Sequence, residues 1–297
     1  MKILLLKSGT LGDIVLLFPI LNSLKEKGIQ TTLMIRREFI PLITSLNLAS
    51  LTLALDTPET LFLYLDHQFP SSWRRFFRAQ DWVISFSLGK AEERLSAILG
   101  EKLVKISLKE RGDSHVLDFY TRTFNKILNG LSPVFPDLWK KGDYLIIHPG
   151  SGSKHKRWPK EYFQELCKIL SFPIKILLGE AEMNEKNEWE KLGEVIFHPP
   201  YPELIDLLVN SRLYLGNDSG VTHLSAFLGV PTLAIFGPTS PFHWGPRGKR
   251  VRIIYSNFPC SPCKNYCETR ECLFSLRPEK IAKEVKILWE VKNEKSY

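Results

Sequence analysis

Several absences narrow this chain before any motif is considered. No uninterrupted apolar stretch approaches the roughly 18 residues of a membrane-spanning helix. The apolar run after Met1-Lys2 is too short for the core of a secretory signal. Both absences predict a cytoplasmic protein. The first polar turn, Lys7-Ser8-Gly9-Thr10-Leu11-Gly12-Asp13, has no third glycine, and no acidic residue closes the next apolar run, so it is not a dinucleotide fingerprint. It is not a Walker phosphate loop either, because no Gly-Lys-Ser/Thr follows. Short-period repeats and low-complexity segments are missing. The charge excess is mild, 40 Lys+Arg against 32 Asp+Glu for a net +8, and it is spread over both halves with small clusters at Arg36-Arg37, Arg74-Arg75-Arg78 and Lys154-Lys156-Arg157. Such a balance suits anionic substrates or an anionic membrane surface. It is not the dense stripe of a nucleic-acid binder.

Cysteine is scarce, and four of the five residues are bunched as Cys260-x2-Cys263-x3-Cys267-x4-Cys272. The spacing is looser than a paired CxxC…CxxC ribbon. In a cytosolic chain these residues either hold a structural zinc or remain reduced thiols; disulfides are not expected.

What is present is ordinary globular material, 44% apolar and 24% charged over 297 residues, enough for two domains. The most informative stretch runs from Leu213 to Pro241. An apolar strand, Leu213–Leu215, leads into Gly216-Asn217-Asp218-Ser219-Gly220. A helical pattern (Val221, Leu224, Ser225, Leu228) follows, Gly229-Val230-Pro231 ends it, and Thr232–Phe236 reads as a second strand. In such a βαβ unit the helix N-terminus faces the carboxyl edge of the sheet, where phosphates bind. Asp218 and Ser219 fall at the expected N-cap, and His223 lies one turn further on the same side. Each residue alone reads as capping or surface; together with Gly237-Pro238-Thr239 after the next strand they read as a ligand site.

The N-terminal stretch repeats the logic. Ile3–Leu6 is a strand, Ile14, Leu17, Phe18, Leu21 and Leu24 recur at helical spacing, Gly28 closes the helix, and Thr32–Ile35 is the next strand. Asp13 sits in the first turn of that helix. It either complements the helix dipole or acts as a general base at the sheet edge. Further on, Leu51–Leu55, Val83–Phe86 and Leu103–Ile106 read as strands of more βα units, Phe69–Phe77 reads as an aromatic and basic loop, and Leu131–Gly142 reads as a linker.

After the linker, Tyr144–Ile147 is a strand and His148–Arg157 a Gly/Ser/Lys-rich loop whose Ser151, Ser153, Lys154, Lys156 and Arg157 form an anion cradle. Trp158-Pro159 opens a helix. Ile174–Leu178 is another strand, and the turn Gly179-Glu180-Ala181-Glu182 offers a carboxylate for ribose hydroxyls. Val195–Phe197, the helix Tyr201–Asn210 and a Pro278-initiated final helix complete the pattern.

On these residues the chain resembles glycosyltransferase family 9, the ADP-heptose:lipopolysaccharide heptosyltransferases. ILLLKSGTLGDIVLLFPIL resembles the family's opening strand-turn-helix, with Lys7 where an arginine is more usual. HPGSGSKHKRWP resembles its histidine-proline-glycine loop, and GNDSGVTHLSAFLGVPTLAIFGPTSP its most diagnostic segment. A cysteine run beginning CSPC and a Pro-initiated closing helix are also frequent there. The resemblance covers nearly the whole chain and fades over 36–141.

The resemblance implies an α/β GT-B fold, two Rossmann-like domains facing across a cleft with a C-terminal closing helix. The N-terminal acceptor domain would span 1–141 and the nucleotide-sugar domain, with the cysteine cluster, 142–297. It implies inverting transfer of heptose from ADP-heptose to lipid A carrying Kdo, an anionic glycolipid, with no required cofactor and no nucleic acid. The protein would then contact the cytoplasmic face of the inner membrane peripherally. Carried over residue by residue, Asp13 resembles the catalytic base and Lys156 the lysine that neutralises the departing diphosphate. Asp218 resembles the carboxylate on the heptose hydroxyls. Ser219, Gly220 and His223 match the diphosphate- and sugar-binding turn, Ser151 and Gly152 the phosphate-side loop, and Glu182 or Glu180 the nucleoside carboxylate. Two other readings remain: a sugar-nucleotide epimerase of similar architecture, and a non-catalytic zinc- and nucleic-acid-binding module built on the cysteines.

Overall fold

The computed structural model describes residues 1–65, 69–256, 258–263 and 269–290. The chain divides into two compact units, Met1–Val134 and Phe135–Tyr297. Each is built on one sheet in which every strand pairs parallel to its neighbours.

The first unit contains β1 (Lys2–Lys7), β2 (Gln30–Ile35), β3 (Leu51–Ala54), β4 (Trp82–Phe86) and β5 (Leu103–Ile106), in the order β3-β2-β1-β4-β5. The second contains β6 (Leu145–His148), β7 (Ile174–Leu178), β8 (Glu194–Phe197), β9 (Leu213–Asn217), β10 (Thr232–Phe236) and β11 (Val251–Tyr255), in the order β11-β10-β9-β6-β7-β8. Counted from its own first strand, the second sheet has the doubly wound order 3-2-1-4-5-6, and the first sheet has the same order without its last strand. In both, the order reverses beside the first strand, between β1 and β4 and between β6 and β9. Ligands of open α/β sheets bind outside the carboxyl ends of the strands at that reversal.

Covered on both faces, central strands read as continuous apolar runs rather than alternations. Ile3, Leu4, Leu5 and Leu6 are fully buried, as are Leu213, Tyr214 and Leu215 and all of Leu233–Phe236. In the second unit, Leu145, Ile147, Leu215 and Ile235 pack with Phe163 and Leu166 of the helix Lys160–Ile169 and with Ile281 and Val285 of the closing helix Pro278–Trp289. β11 is a strand that the sequence pattern did not suggest; it is an edge strand with Arg252 exposed and only Ile254 buried.

Three local features differ from the sequence expectation. The first helix is broken: Leu11–Val15 stops, and a second helix runs from Phe18 to Glu26. Pro19 is the cause, since it has no N–H for the Val15 carbonyl and its ring crowds that group. Gly28, at φ +67°, closes the second helix as expected, with its N–H on the Lys25 carbonyl and that of Ile29 on the Leu24 carbonyl. Second, Ser71–Arg78 is a helix and not a loop. Trp73, Phe76 and Phe77 recur at i, i+3 and i+4 and pack toward Phe62 and Phe69, leaving Arg75 and Arg78 exposed. Third, β9 extends through Gly216 and Asn217, which had read as turn.

The division between units falls after Val134. Phe135–Lys141 joins the second unit because the Leu138 N–H bonds the Leu228 carbonyl, that of Lys140 bonds Val209, and the Trp139 indole bonds Ser211.

Candidate functional site

At the reversal point of the second sheet, β6 and β9 lie side by side, with His148 paired to Gly216. Asn217, fully buried at the end of β9, fastens both ends of the loop that follows β6. Its Nδ2 donates to the Pro149 carbonyl at 2.7 Å, and its Oδ1 accepts from the Trp158 N–H at 2.8 Å. The Trp158 indole in turn donates to the Leu276 carbonyl at 2.7 Å. The loop His148–Arg157 is therefore held at both ends by backbone contacts, which fixes where its side chains stand.

Those side chains converge on Asp218. Ser151 Oγ donates to the Asp218 carbonyl at 2.8 Å. A short 3-10 turn, Lys154–Lys156, places Lys156 Nζ 2.9 Å from Asp218 Oδ2. Thr239, in the loop after β10, donates its hydroxyl to the same oxygen at 2.6 Å. His223 Nε2 is 3.9 Å from Oδ1, too far for a hydrogen bond. Burial alone would raise the Asp218 pKa; His223, the Lys156 ammonium and the Thr239 hydroxyl outweigh it and hold it at about 2. Of these, Lys156 and Thr239 make the direct contacts, and His223 acts from farther away. Asp218 is thus a buried carboxylate that stays ionised.

The helix Gly220–Phe227 starts immediately afterwards, capped by Ser219, whose Oγ accepts from the Thr222 N–H. Beneath its first turn lies a wholly buried polar network. Tyr214 reaches His148 Nδ1 at 3.0 Å and Thr222 Oγ1 at 3.1 Å, and Ser219 Oγ lies 3.0 Å from the same Thr222 hydroxyl. Gly216 makes room for it, since a Cβ there would meet the Tyr214 hydroxyl at 2.5 Å. Burial, with the nearby Arg157 charge, pushes the His148 pKa down to about 4, so this imidazole is neutral at pH 7.

A second charged pair adjoins the first. Arg157 lies 2.9 Å from Glu182 Oε1 and also donates to the Ser151 carbonyl through Nε and Nη2. The approach to Glu182 Oε1 is an ion pair without hydrogen-bond geometry, so that oxygen stays without a hydrogen-bond donor. Glu182 Oε2 accepts from the Gly179 N–H at 3.1 Å. Gly150 lies against this pair: a Cβ would come within 2.9 Å of both Glu182 Oε2 and His148 Nε2. Of the two carboxylates in the β7 turn, Glu182 is buried here, whereas Glu180 is exposed and faces His198. Gly152 is exposed, and a Cβ there would meet nothing within 4 Å.

In the first unit, Asp13 caps its own helix: Oδ2 accepts from both the Thr10 N–H and the Thr10 hydroxyl at 2.8 Å. Among the described residues Oδ1 accepts no hydrogen bond. Gly9, at φ +133°, fits closely against it; a Cβ there would stand 2.7 Å from Asp13 Oδ2. Of the cysteines, Cys260 is exposed, Cys263 half-buried and Cys272 buried, while Cys267 lies outside the described residues. Among the described residues no group of three or more His, Cys, Asp or Glu side chains is placed to hold a metal. No helix among them is long and apolar enough to cross a membrane.

The structure therefore brings Ser151, Lys156, Glu182, Asp218, Ser219 and His223 to one sheet edge. Sequence reasoning had placed Arg157 in the anion cradle and Thr239 in a ligand-type turn without naming the carboxylate each one meets, and it had given no site role to Tyr214 or Asn217. Arg157 and Thr239 were visible as a basic residue before Trp-Pro and as the end of Gly-Pro-Thr. Tyr214 and Asn217 carried no signal beyond their place in a strand and a turn.

The family model for glycosyltransferase family 9 (heptosyltransferase) matches residues 107–273. Lipopolysaccharide heptosyltransferase 1 of Pseudomonas aeruginosa is 31% identical over 149 residues, 46% of this chain and 42% of the relative. Its namesake from Campylobacter coli is 32% identical over 165 residues, 51% of this chain and 48% of the relative. The chain thus spans about half the length of these curated relatives. The solved structure of E. coli ADP-heptose lps heptosyltransferase II superposes with a TM-score of 0.76 at 16% identity, covering 97% of this chain and 98% of that one, a likeness of fold.

Proposed function

Because this chain belongs to glycosyltransferase family 9, with the α/β architecture of the GT-B heptosyltransferases, we propose that it is an inverting, metal-independent heptosyltransferase. Heptose would pass from ADP-heptose to the inner core of lipopolysaccharide. The observation that carries this reading is the buried Asp218 carboxylate, paired with Lys156 at the reversal point of the second sheet and followed at once by a helix N-terminus.

In this reading the diphosphate rests against Ser151, Gly152, Ser219 and Gly220, where backbone N–H groups and the helix dipole favour anions. Glu182, fixed by Arg157 and the Gly179 N–H, takes the nucleoside hydroxyls. Asp218 and His223 take hydroxyls of the heptose. Asp13 removes the proton from the acceptor hydroxyl as that oxygen bonds C1 of the sugar. The C1–O bond to the diphosphate breaks in line, its electron pair passes to the phosphate oxygen, and the configuration at C1 inverts. Lys156 must then turn from Asp218 toward that oxygen, and its ammonium, with the helix N-terminus, meets the developing charge without requiring Mg²⁺. The acceptor, lipid A bearing Kdo, would be met at the cytoplasmic face of the inner membrane, consistent with the mild positive charge.

The test is donor binding and turnover of Asp13→Ala against wild type, with ADP-heptose, UDP-sugars and a lipid A–Kdo acceptor, EDTA present throughout. The expected result is normal ADP-heptose binding by both proteins and transfer by wild type only. A wild type that binds no ADP-sugar would refute the donor. Equal turnover of the two proteins would reduce Asp13 to a helix cap.

A further inference from the structure

The reversal point of the first sheet holds a charge that the reaction outlined above does not use. Lys7 is the last residue of β1, and Phe86, the last of β4, is its register partner, so their side chains stand next to each other. Lys7 is 6% exposed, and its ammonium lies 5.1 Å from the centroid of the Phe86 ring. Tyr120, also buried, packs on the same ring edge to face, with centroids 5.3 Å apart. Among the described residues Lys7 Nζ makes no hydrogen bond and no ion pair within 4.0 Å. Asp13 is near enough to act on it electrostatically, but its Oδ2 is occupied by Thr10.

A buried ammonium has three donors and loses its water on burial, so leaving it unmatched is costly. A ring face offsets a small part of that cost. Burial accordingly lowers the Lys7 pKa, while Asp13 opposes the shift. A purely structural role would be served by an apolar side chain, because the surrounding wall is already Phe86 and Tyr120. The missing partner is an anion that arrives with a ligand, beside the carboxylate assigned as base.

We infer that Lys7 is an oxyanion-binding residue of the first unit: its ammonium takes a carboxylate or phosphate oxygen of the molecule whose hydroxyl faces Asp13. This deepens the proposed function and rests on it for the identity of that molecule. The binding itself is independent of transfer. A carboxylate sugar acid and a phosphate share the recognising chemistry, and the two are separated by experiment.

Calorimetric titration of the full chain with the free sugar acid Kdo and, separately, with inorganic phosphate reads the site without turnover. Wild type should bind one of the two, and that one names the source. Lys7→Met should bind it at least about tenfold more weakly, the size expected for a charged hydrogen bond, while Lys7→Arg keeps most of the affinity. Thermal melting guards against misfolding: Lys7→Met should melt no lower than wild type without ligand, and only wild type should gain stability from the anion. Equal binding by Lys7→Met and wild type, or binding of neither anion by wild type, would overturn the assignment. Parallel titration with ADP-heptose keeps this separate from the function: a protein that binds the anion through Lys7 yet binds no ADP-sugar has lost the donor reading and kept this one.

Discussion

Lys156 and Asp218, expected to serve different parts of the donor, form an ion pair at 2.9 Å in this structure, the lysine 25% and the aspartate 8% exposed at the side chain. Each holds the other until a ligand competes for the ammonium. The pair keeps Asp218 ionised, and in the function proposed above it holds Lys156 within reach of the donor's diphosphate.

A double-mutant cycle measures that relationship. Lys156→Met and Asp218→Asn should each lower stability, and the coupling energy from urea denaturation should be about 1–2 kcal/mol, reduced from the fully buried case by the exposure of the lysine. A coupling near zero would show that the pair is not maintained in solution.

Two buried groups predict separate acid windows. His148 has a pKa of about 4 in the folded chain against 6.5 ordinarily, so the unfolded chain takes up its proton first. Stability should fall as pH drops from 6.5 toward 4, by about 3 kcal/mol for this one group. Asp218 is held at about 2 against 3.8, so its stabilisation is complete above 3.8 and is lost as pH falls toward 2, about 2 kcal/mol in all. Denaturation curves at a series of pH values should show the first window removed by His148→Gln and the second by Asp218→Asn.

Asn217→Ala should be among the more damaging single changes in the second unit. It leaves the Pro149 carbonyl and the Trp158 N–H without their buried partner, at a cost of about 2–4 kcal/mol for the two bonds. The melting temperature should drop, and, on the proposed donor, ADP-heptose affinity should fall with it because the His148–Arg157 loop is released. A variant with unchanged stability would mean that water replaces the amide.

Much of the fold was legible because its signals are local. β7, β10 and β5 fall on the expected residues, since a parallel strand buried on both faces is a short apolar run between polar turns. The continuous helix after Asp13 was misread because helical spacing persists across Pro19 even though the backbone bond does not. Ser71–Arg78 was misread because its Trp and Phe residues declare a buried face only once Phe62 and Phe69 are there to pack against. β11 carried too little apolar signal to stand out, as edge strands often do.

The sequence by itself determined that ligand-type turns follow β1, β6, β7 and β9, because glycines, caps and small polar residues act within a few positions of themselves. It also placed Asp13, Lys156, Glu182 and Asp218 in such turns. Only the tertiary structure decided which of these side chains meet. Strand order brings β6 beside β9, which joins Lys156 to Asp218 and puts Tyr214 under the cap at Ser219; the register of β1 with β4 sets Lys7 against Phe86, with no hydrogen-bond or ion-pair partner among the described residues. The physical reason is that these contacts link residues distant in the chain, and their energies depend on burial and distance, which a linear pattern does not contain.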